Sequence, residues 1–200
     1  MKIVVLASGT GTLLQSVIDN VDPTQVEIVA VGSDRPCEAL HRAARANLAT
    51  FCVDYTPGQT DRARWNSQLA ETIANYQPDL VVSAGFMRIL GPEVVQAFAG
   101  KIINTHPALL PAFPGAHGVR DALDYGVKVT GSTVHVVDTG VDTGPIIAQH
   151  PVSVELDDDE SSLHEKIKKV ERQLLVEVLH SIALHGLTIN GRKARISTND

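Results

Sequence analysis

Cysteine is nearly absent from this chain: among 200 residues only Cys37 and Cys52 carry a thiol. Two thiols make neither a disulfide framework nor a cysteine metal cluster. A reducing, cytoplasmic setting is expected. Cys52, in the apolar run ATFCV, reads as a buried thiol. Cys37 falls where a helix would begin, which favours a thiolate, although a small structural residue is the plainer reading. Positive charge is also short, with 17 Lys and Arg against 23 Asp and Glu and a net charge of -6. Nucleic acids and anionic membranes are held by cations that neutralise phosphates, so neither partner is expected. No apolar run is long enough to span a bilayer. Met1-Lys2 leads directly into a strand-like run, so no signal peptide is read. Apolar residues still make up 44% of the chain, enough for a sizeable core.

What is present is alternation. Ile- and Val-rich runs give expected strands over Lys2–Ala7, Glu27–Gly32, Thr50–Val53, Leu80–Ala84 and Lys101–Thr105. Helical patterns fall between them, near Leu13–Asn20, Cys37–Asn47, Asp61–Tyr76 and Pro92–Ala99. Such a series predicts a Rossmann-like α/β fold: a mostly parallel twisted sheet with helices on both faces. After Thr105 the pattern changes. Pro107, Pro111, Pro114, Gly115 and Gly118 read as a long rigid loop. Two β-rich runs follow, Lys128–Val137 and Pro145–Val154, joined by a glycine-rich turn, as a C-terminal hairpin region. A final helix is expected from about Ser161, with Ser162 and Glu165 as a capping box and Asp157 to Glu160 as its acidic cap. Leu163, Ile167, Val170, Leu174 and Val178 form its apolar stripe.

The opening MKIVVLASGTGTLLQS runs from strand through a glycine loop into a helix. Backbone N–H groups and the helix N-terminus make that arrangement suited to an anion. Gly9 and Gly11 supply two glycines of a dinucleotide fingerprint, but Leu14 occupies the third position. Asp34, after the second strand, stands close to where a ribose-binding acid would be. A phosphate monoester is the favoured ligand at this point; a dinucleotide and a purely structural turn stay open.

In an open parallel sheet, ligands bind beyond the carboxyl ends of the strands. Asn104 and His106 lie at such an end, the stretch Phe86-Met-Arg-Ile-Leu90 follows another, and Asp142 sits in the glycine-rich turn. Each has a bland reading as turn former, satisfied histidine or core. Together they suit attack on a carbonyl. The Asn104 amide and a protonated His106 can donate to a developing oxyanion, and a neighbouring acid raises the imidazole pKa. No Ser or Cys is placed as a nucleophile, so direct transfer to an incoming amine is favoured over a covalent intermediate.

SGTGT, AGFMRIL, the run from Asn104 through His106-Pro107 to Leu109-Leu110-Pro111, and Asp142-Thr-Gly-Pro145 together resemble the folate-dependent formyltransferase family, over Lys2 to about Ala183. The resemblance implies transfer of formyl from 10-formyltetrahydrofolate to glycinamide ribonucleotide, two small molecules, with no metal. It implies a catalytic trio: His106 as the acid on the formyl oxygen, Asn104 holding that oxygen, and Asp142 keeping His106 protonated and positioning a water. Arg62, Met87, Arg88, Ile89, Leu90 and Asn104 would meet the folate. Gly11, Thr12 and Leu13 would hold the ribonucleotide phosphate, with Glu171 as a further substrate contact. The family's loop pattern has Ser and Asn where this chain has Thr12 and Leu13, so Leu13 can offer only its backbone N–H. The expected organisation is one domain over 1–200, with a phosphate-binding half over 1–100, a catalytic and folate-binding half over 101–185, and a frayed polar tail over 190–200. Relatives that formylate an initiator tRNA or hydrolyse formylfolate are longer. A nicotinamide-dependent oxidoreductase and a non-catalytic nucleotide-binding module remain as alternatives. The oligomeric state is open, a homodimer included.

Overall fold

Lys2–Leu6 (β1) has no wet face: Ile3, Val4, Val5 and Leu6 are all fully buried. Strands of this kind need cover above and below, the condition of parallel sheets. In the computed structural model, which describes residues 1–197, β1 pairs in parallel with Glu27–Ser33 (β2), and β2 pairs in parallel with Thr50–Cys52 (β3). On its other side β1 pairs in parallel with Leu80–Ser83 (β4), with Ile3 opposite Leu80 and Leu6 opposite Ser83. Each connection is helical: Thr12–Asn20 (α1), Glu38–Arg45 (α2) and Arg62–Ala74 (α3), with Pro92–Ala97 (α4) after β4. Local chemistry sets these starts. The Asp61 side chain accepts from the Arg64 N–H at the head of α3, and Pro92 takes the first turn of α4, where its missing N–H costs nothing.

The chain divides into two units, Met1–Ile103 and Asn104 onward. Ile102–His106 (β5) carries it from the first into the second. The second unit contains Gly118–Tyr125 (α5), Val129–Val136 (β6), Ile146–Ser153 (β7), Glu160–His185 (α6), Leu187–Asn190 (β8) and Lys193–Ile196 (β9). β6 and β7 are antiparallel, from Val129 opposite Ser153 to His135 opposite Ile146, with an irregularity between Val134 and His135. α6 packs on this pair and on α5. Leu163 and Ile167 of α6 and Val119 of α5 form a buried cluster edged by Leu123, Val152 and Val154. The fold is α/β and Rossmann-like, with helices on both sides. No helix among the described residues is long and apolar enough to cross a membrane.

Four expectations are corrected. Helix α5 begins at Gly118, the last residue read as loop, and runs on through residues for which no element was expected; its stripe, Val119, Ala122 and Leu123, is too short to register beside so many prolines and glycines. The capping box of α6 is Asp159 with Ser162, one turn before the expected pair, because the Asp159 carboxylate reaches the Ser162 N–H and the Ser162 hydroxyl accepts from the Asp159 N–H. Cys52 is exposed, since alternation along the short β3 turns it outward, where its thiol donates to Asp54 Oδ1 at 3.1 Å. Residues 193–196 of the expected frayed tail form β9, which pairs antiparallel with β8 and in parallel with β7 at Ile146–Lys193, so the tail's backbone groups find strand partners. The remainder of that tail, 198–200, lies outside the described residues.

Candidate active site

Asn104 and His106 stand two residues apart on β5, so alternation sends both side chains to one side of the strand. His106 is 3% exposed. Its Nε2 lies 2.7 Å from the Phe113 carbonyl oxygen, and its Nδ1 lies 3.3 Å from Asp142 Oδ2. Asp142 is itself in the left-handed region, at φ 54°, and its Oδ2 accepts from the Gly115 N–H at 2.8 Å. The Pro- and Gly-rich segment after β5 thereby folds back onto both His106 and Asp142. Gly118 completes the packing: a Cβ there would stand 3.0 Å from the Phe113 oxygen and 3.1 Å from His106 Nε2.

A fourth side chain, which the sequence reading missed, joins the three. His135 of β6 is 2% exposed. Its Nδ1 is 3.0 Å from the Val136 oxygen, to which it can only donate. Its Nε2 lies 3.3 Å from the Asn104 amide nitrogen and 3.5 Å from Asp142 Oδ1. The signal was there: a histidine inside an apolar β-run, TVHVV. Thr133, two residues before it, holds the loop after His106. Its hydroxyl donates to the Ala108 carbonyl at 2.7 Å and accepts from the Leu110 N–H at 3.1 Å.

Burial holds the His106 imidazole below the ordinary histidine range; the Asp142 carboxylate and the Phe113 carbonyl pull it up without overcoming that loss. The pull expected from Asp142 is present, and burial opposes it. A ring this deeply enclosed loses more hydration than one oxygen at 3.3 Å returns. Burial also works against ionisation of Asp142, yet hydrogen bonds from His135 and Gly115 and the two imidazoles lower its pKa. The carboxylate is thus the stable charge of the cluster. Glu171, on α6, shows the reverse balance: burial pushes its carboxyl up, and the Thr105 hydroxyl offsets this only in part.

The first unit carries the other expected residues. Gly11, at φ 69°, is the N-cap of α1, with no side-chain cap over the Thr12 end of the helix. A Cβ at Gly11 would stand 2.7 Å from the Ala39 Cα, so this glycine admits α2 as well as shaping the loop. Thr12 is exposed, while Leu13 is 7% exposed, its side chain in the core. Only the backbone of Leu13 can face a ligand. After β4, Met87 and Ile89 stand 73% and 58% exposed while Leu90 turns inward at 8%. The Met87 N–H donates to Ser8 Oγ at 2.9 Å, which ties this segment to the opening loop. Arg62 Nη2 donates to the Ile89 carbonyl at 2.7 Å. Asp34, the candidate ribose partner, is wholly buried and its Oδ2 is taken by Arg35 and Arg88. With Leu14 fully buried at the third glycine position, the first unit offers a dinucleotide neither its acid nor its close approach.

The sequence pattern of the formyl transferase family matches residues 1–179. The chain belongs to that family. Among curated formyl transferases, phosphoribosylglycinamide formyltransferase of Mycobacterium tuberculosis (strain ATCC 25618 / H37Rv) is 55% identical over 194 residues, covering 96% of this chain and 90% of that protein. The Bacillus subtilis (strain 168) protein of the same name is 35% identical over 199 residues, covering 96% and 99%. The crystal structure of glycinamide ribonucleotide transformylase 1 from Symbiobacterium toebii superposes with a TM-score of 0.91 at 39% identity, covering 98% of this chain and 93% of that one. Asn104, His106, His135 and Asp142 all fall within the second unit.

Proposed function

We propose that this formyl transferase moves the formyl group of 10-formyltetrahydrofolate directly onto the amine of glycinamide ribonucleotide, a step of purine synthesis in the cytoplasm. The observation that carries the reading is the geometry around His106: a buried imidazole between a carbonyl and a carboxylate, on the same side of a strand as an amide oriented by a second histidine. The names of the relatives agree with it.

In the proposed reaction the ribonucleotide amine attacks the formyl carbon and a C–N bond forms. The carbonyl electron pair moves onto oxygen, where the Asn104 amide donates to it and the His106 Nε2–H would share its hydrogen bond between that oxygen and the Phe113 carbonyl. Collapse of this adduct breaks the bond to the folate nitrogen. The attacking nitrogen gives up one proton and the folate nitrogen gains one, so the exchange balances without an oxidant or reductant. Asp142, ionised and within reach of His106, is the acceptor through which that proton passes. The ribose phosphate would sit on the N–H groups of Gly11, Thr12 and Leu13, and Glu171 would meet the substrate. The folate would meet Arg62 and the Met87–Leu90 segment. An absorbance assay with both substrates tests the reading: tetrahydrofolate should appear only when the ribonucleotide is present, and its absence would refute the assignment.

A further inference from the structure

Asp34 is a buried carboxylate for which the transfer chemistry has no use. Its side chain is fully buried, and one oxygen, Oδ2, receives Arg88 Nε at 2.8 Å and Arg35 Nη2 at 2.7 Å. Burial works against the ionised form, but hydrogen bonds from Arg35, Ser8 and Arg88 prevail and lower its pKa. The Arg88 guanidinium also lies over the Tyr55 ring, 4.9 Å from its centroid. Tyr55 is not loose: it meets Trp65 edge-on at 5.0 Å, and the Trp65 indole N–H donates to the Val53 carbonyl at 2.8 Å. The guanidinium is therefore fixed at its Nε edge by Asp34 and across its face by Tyr55. That leaves its Nη edge as the planar fork that recognises a carboxylate in bidentate fashion.

We propose that Asp34 is the positioning residue of the folate-tail site, holding Arg88 so that its Nη groups meet a carboxylate of the glutamyl tail. The inference rests on the folate reading above and deepens it. The pteridine ring and the formyl group carry no charge, so the tail is the part of such a donor that an arginine selects. Asp34 also separates two cations. Without it, Arg35 and Arg88 would repel across an empty site, and Arg88 would leave Tyr55.

The test compares the parent enzyme with Asp34→Ala and Asp34→Asn, using 10-formyltetrahydrofolate and its pteroate counterpart, which has no glutamyl carboxylates. For the full donor, Asp34→Ala should raise KM roughly tenfold, the scale of one charge-assisted hydrogen bond. The KM for the truncated donor should be the same in parent and variant. Asp34→Asn retains an oxygen for Arg88 Nε and should fall between. In an Arg88→Ala background, Asp34→Ala should add nothing, because the two act as one unit. An equal rise with both donors, or full additivity with Arg88→Ala, overturns the inference and leaves the folate reading standing. No transfer by the parent from either donor overturns both. Where Asp34→Ala does not fold, Asp34→Asn carries the same comparison.

Discussion

His106 Nδ1 and Asp142 Oδ2 lie 3.3 Å apart in a pocket where each ring nitrogen of His106 faces an oxygen. The pair is held from both ends, since Gly115 donates to the same carboxylate oxygen and the Phe113 carbonyl meets the far side of the ring. The charge on Asp142 therefore acts on an imidazole that cannot turn away from it.

Asp142→Asn should lower kcat by roughly 10²-fold, the scale of one lost preorganised electrostatic partner. The fold should persist, because Asn tolerates the left-handed backbone found here and its amide oxygen can still accept from Gly115. With the carboxylate gone, a charge that raises the His106 pKa disappears, and the limb of any residual pH–rate profile that reports His106 should move to lower pH. Parent-like kcat with an unmoved limb would remove Asp142 from the mechanism.

His135 orients the Asn104 amide through its Nε2, so its loss should appear in kcat more than in KM. His135→Leu should cost roughly tenfold in kcat, as expected for one hydrogen bond made in the transition state. His135→Gln, which offers an oxygen acceptor, should retain more activity than His135→Leu. Equal losses in the two variants would mean that packing, not orientation of Asn104, is what His135 supplies.

Stability should fall on mild acidification. The folded His106 imidazole titrates below the ordinary value of 6.5 that the unfolded chain recovers. Between those two values the unfolded state holds a proton that the folded state does not, so stability is complete above about pH 6.5 and declines below it. His164, lowered chiefly by burial, acts in the same sense, and Glu171, raised by burial, acts in the opposite one, so the comparison with His106→Gln isolates the histidine's share. Thermal melts between pH 8 and 5 check this: the melting temperature should drop on the acid side, and less so in His106→Gln. A melting temperature that rises on acidification would contradict the sign.

Gly11→Val should destabilise the protein before any ligand is considered. A side chain there takes a left-handed backbone at roughly 1–3 kcal/mol and crowds Ala39 of α2 at a similar overpacking cost. Leu13→Asn should also lower the melting temperature, because that side chain belongs to the core. Thr12→Val, at an exposed position, should melt like the parent and lose only ribonucleotide affinity. Calorimetry on folded Thr12→Val separates the two effects; unchanged ribonucleotide affinity would place no weight on the Thr12 hydroxyl.

Much of this protein is legible before it folds. Ile3 to Leu6 announce a strand buried on both faces, and the helical patterns between such strands make the βαβ series, because periodicity and burial are local properties of neighbouring residues. Asn104 and His106 are marked by their place at the end of an apolar strand, although each alone also reads as a turn former or a satisfied histidine. The family resemblance joined Asp142 to them, but no spacing in the sequence sets its 3.3 Å from His106. What lay beyond reach depends on which distant groups meet. His135 read as one more residue of a β-run until β6 brought it within 3.3 Å of Asn104. Asp34 read as a possible ribose partner until two arginines closed over it, one of them 54 residues away. The need for glycine at position 11 looked like a demand of the ligand, yet it is also set by Ala39 of another helix. The charge on His106 shows the division most clearly. The residue types specify an acid beside an imidazole, but whether the acid or the burial dominates is a matter of desolvation, which only the packed tertiary structure decides.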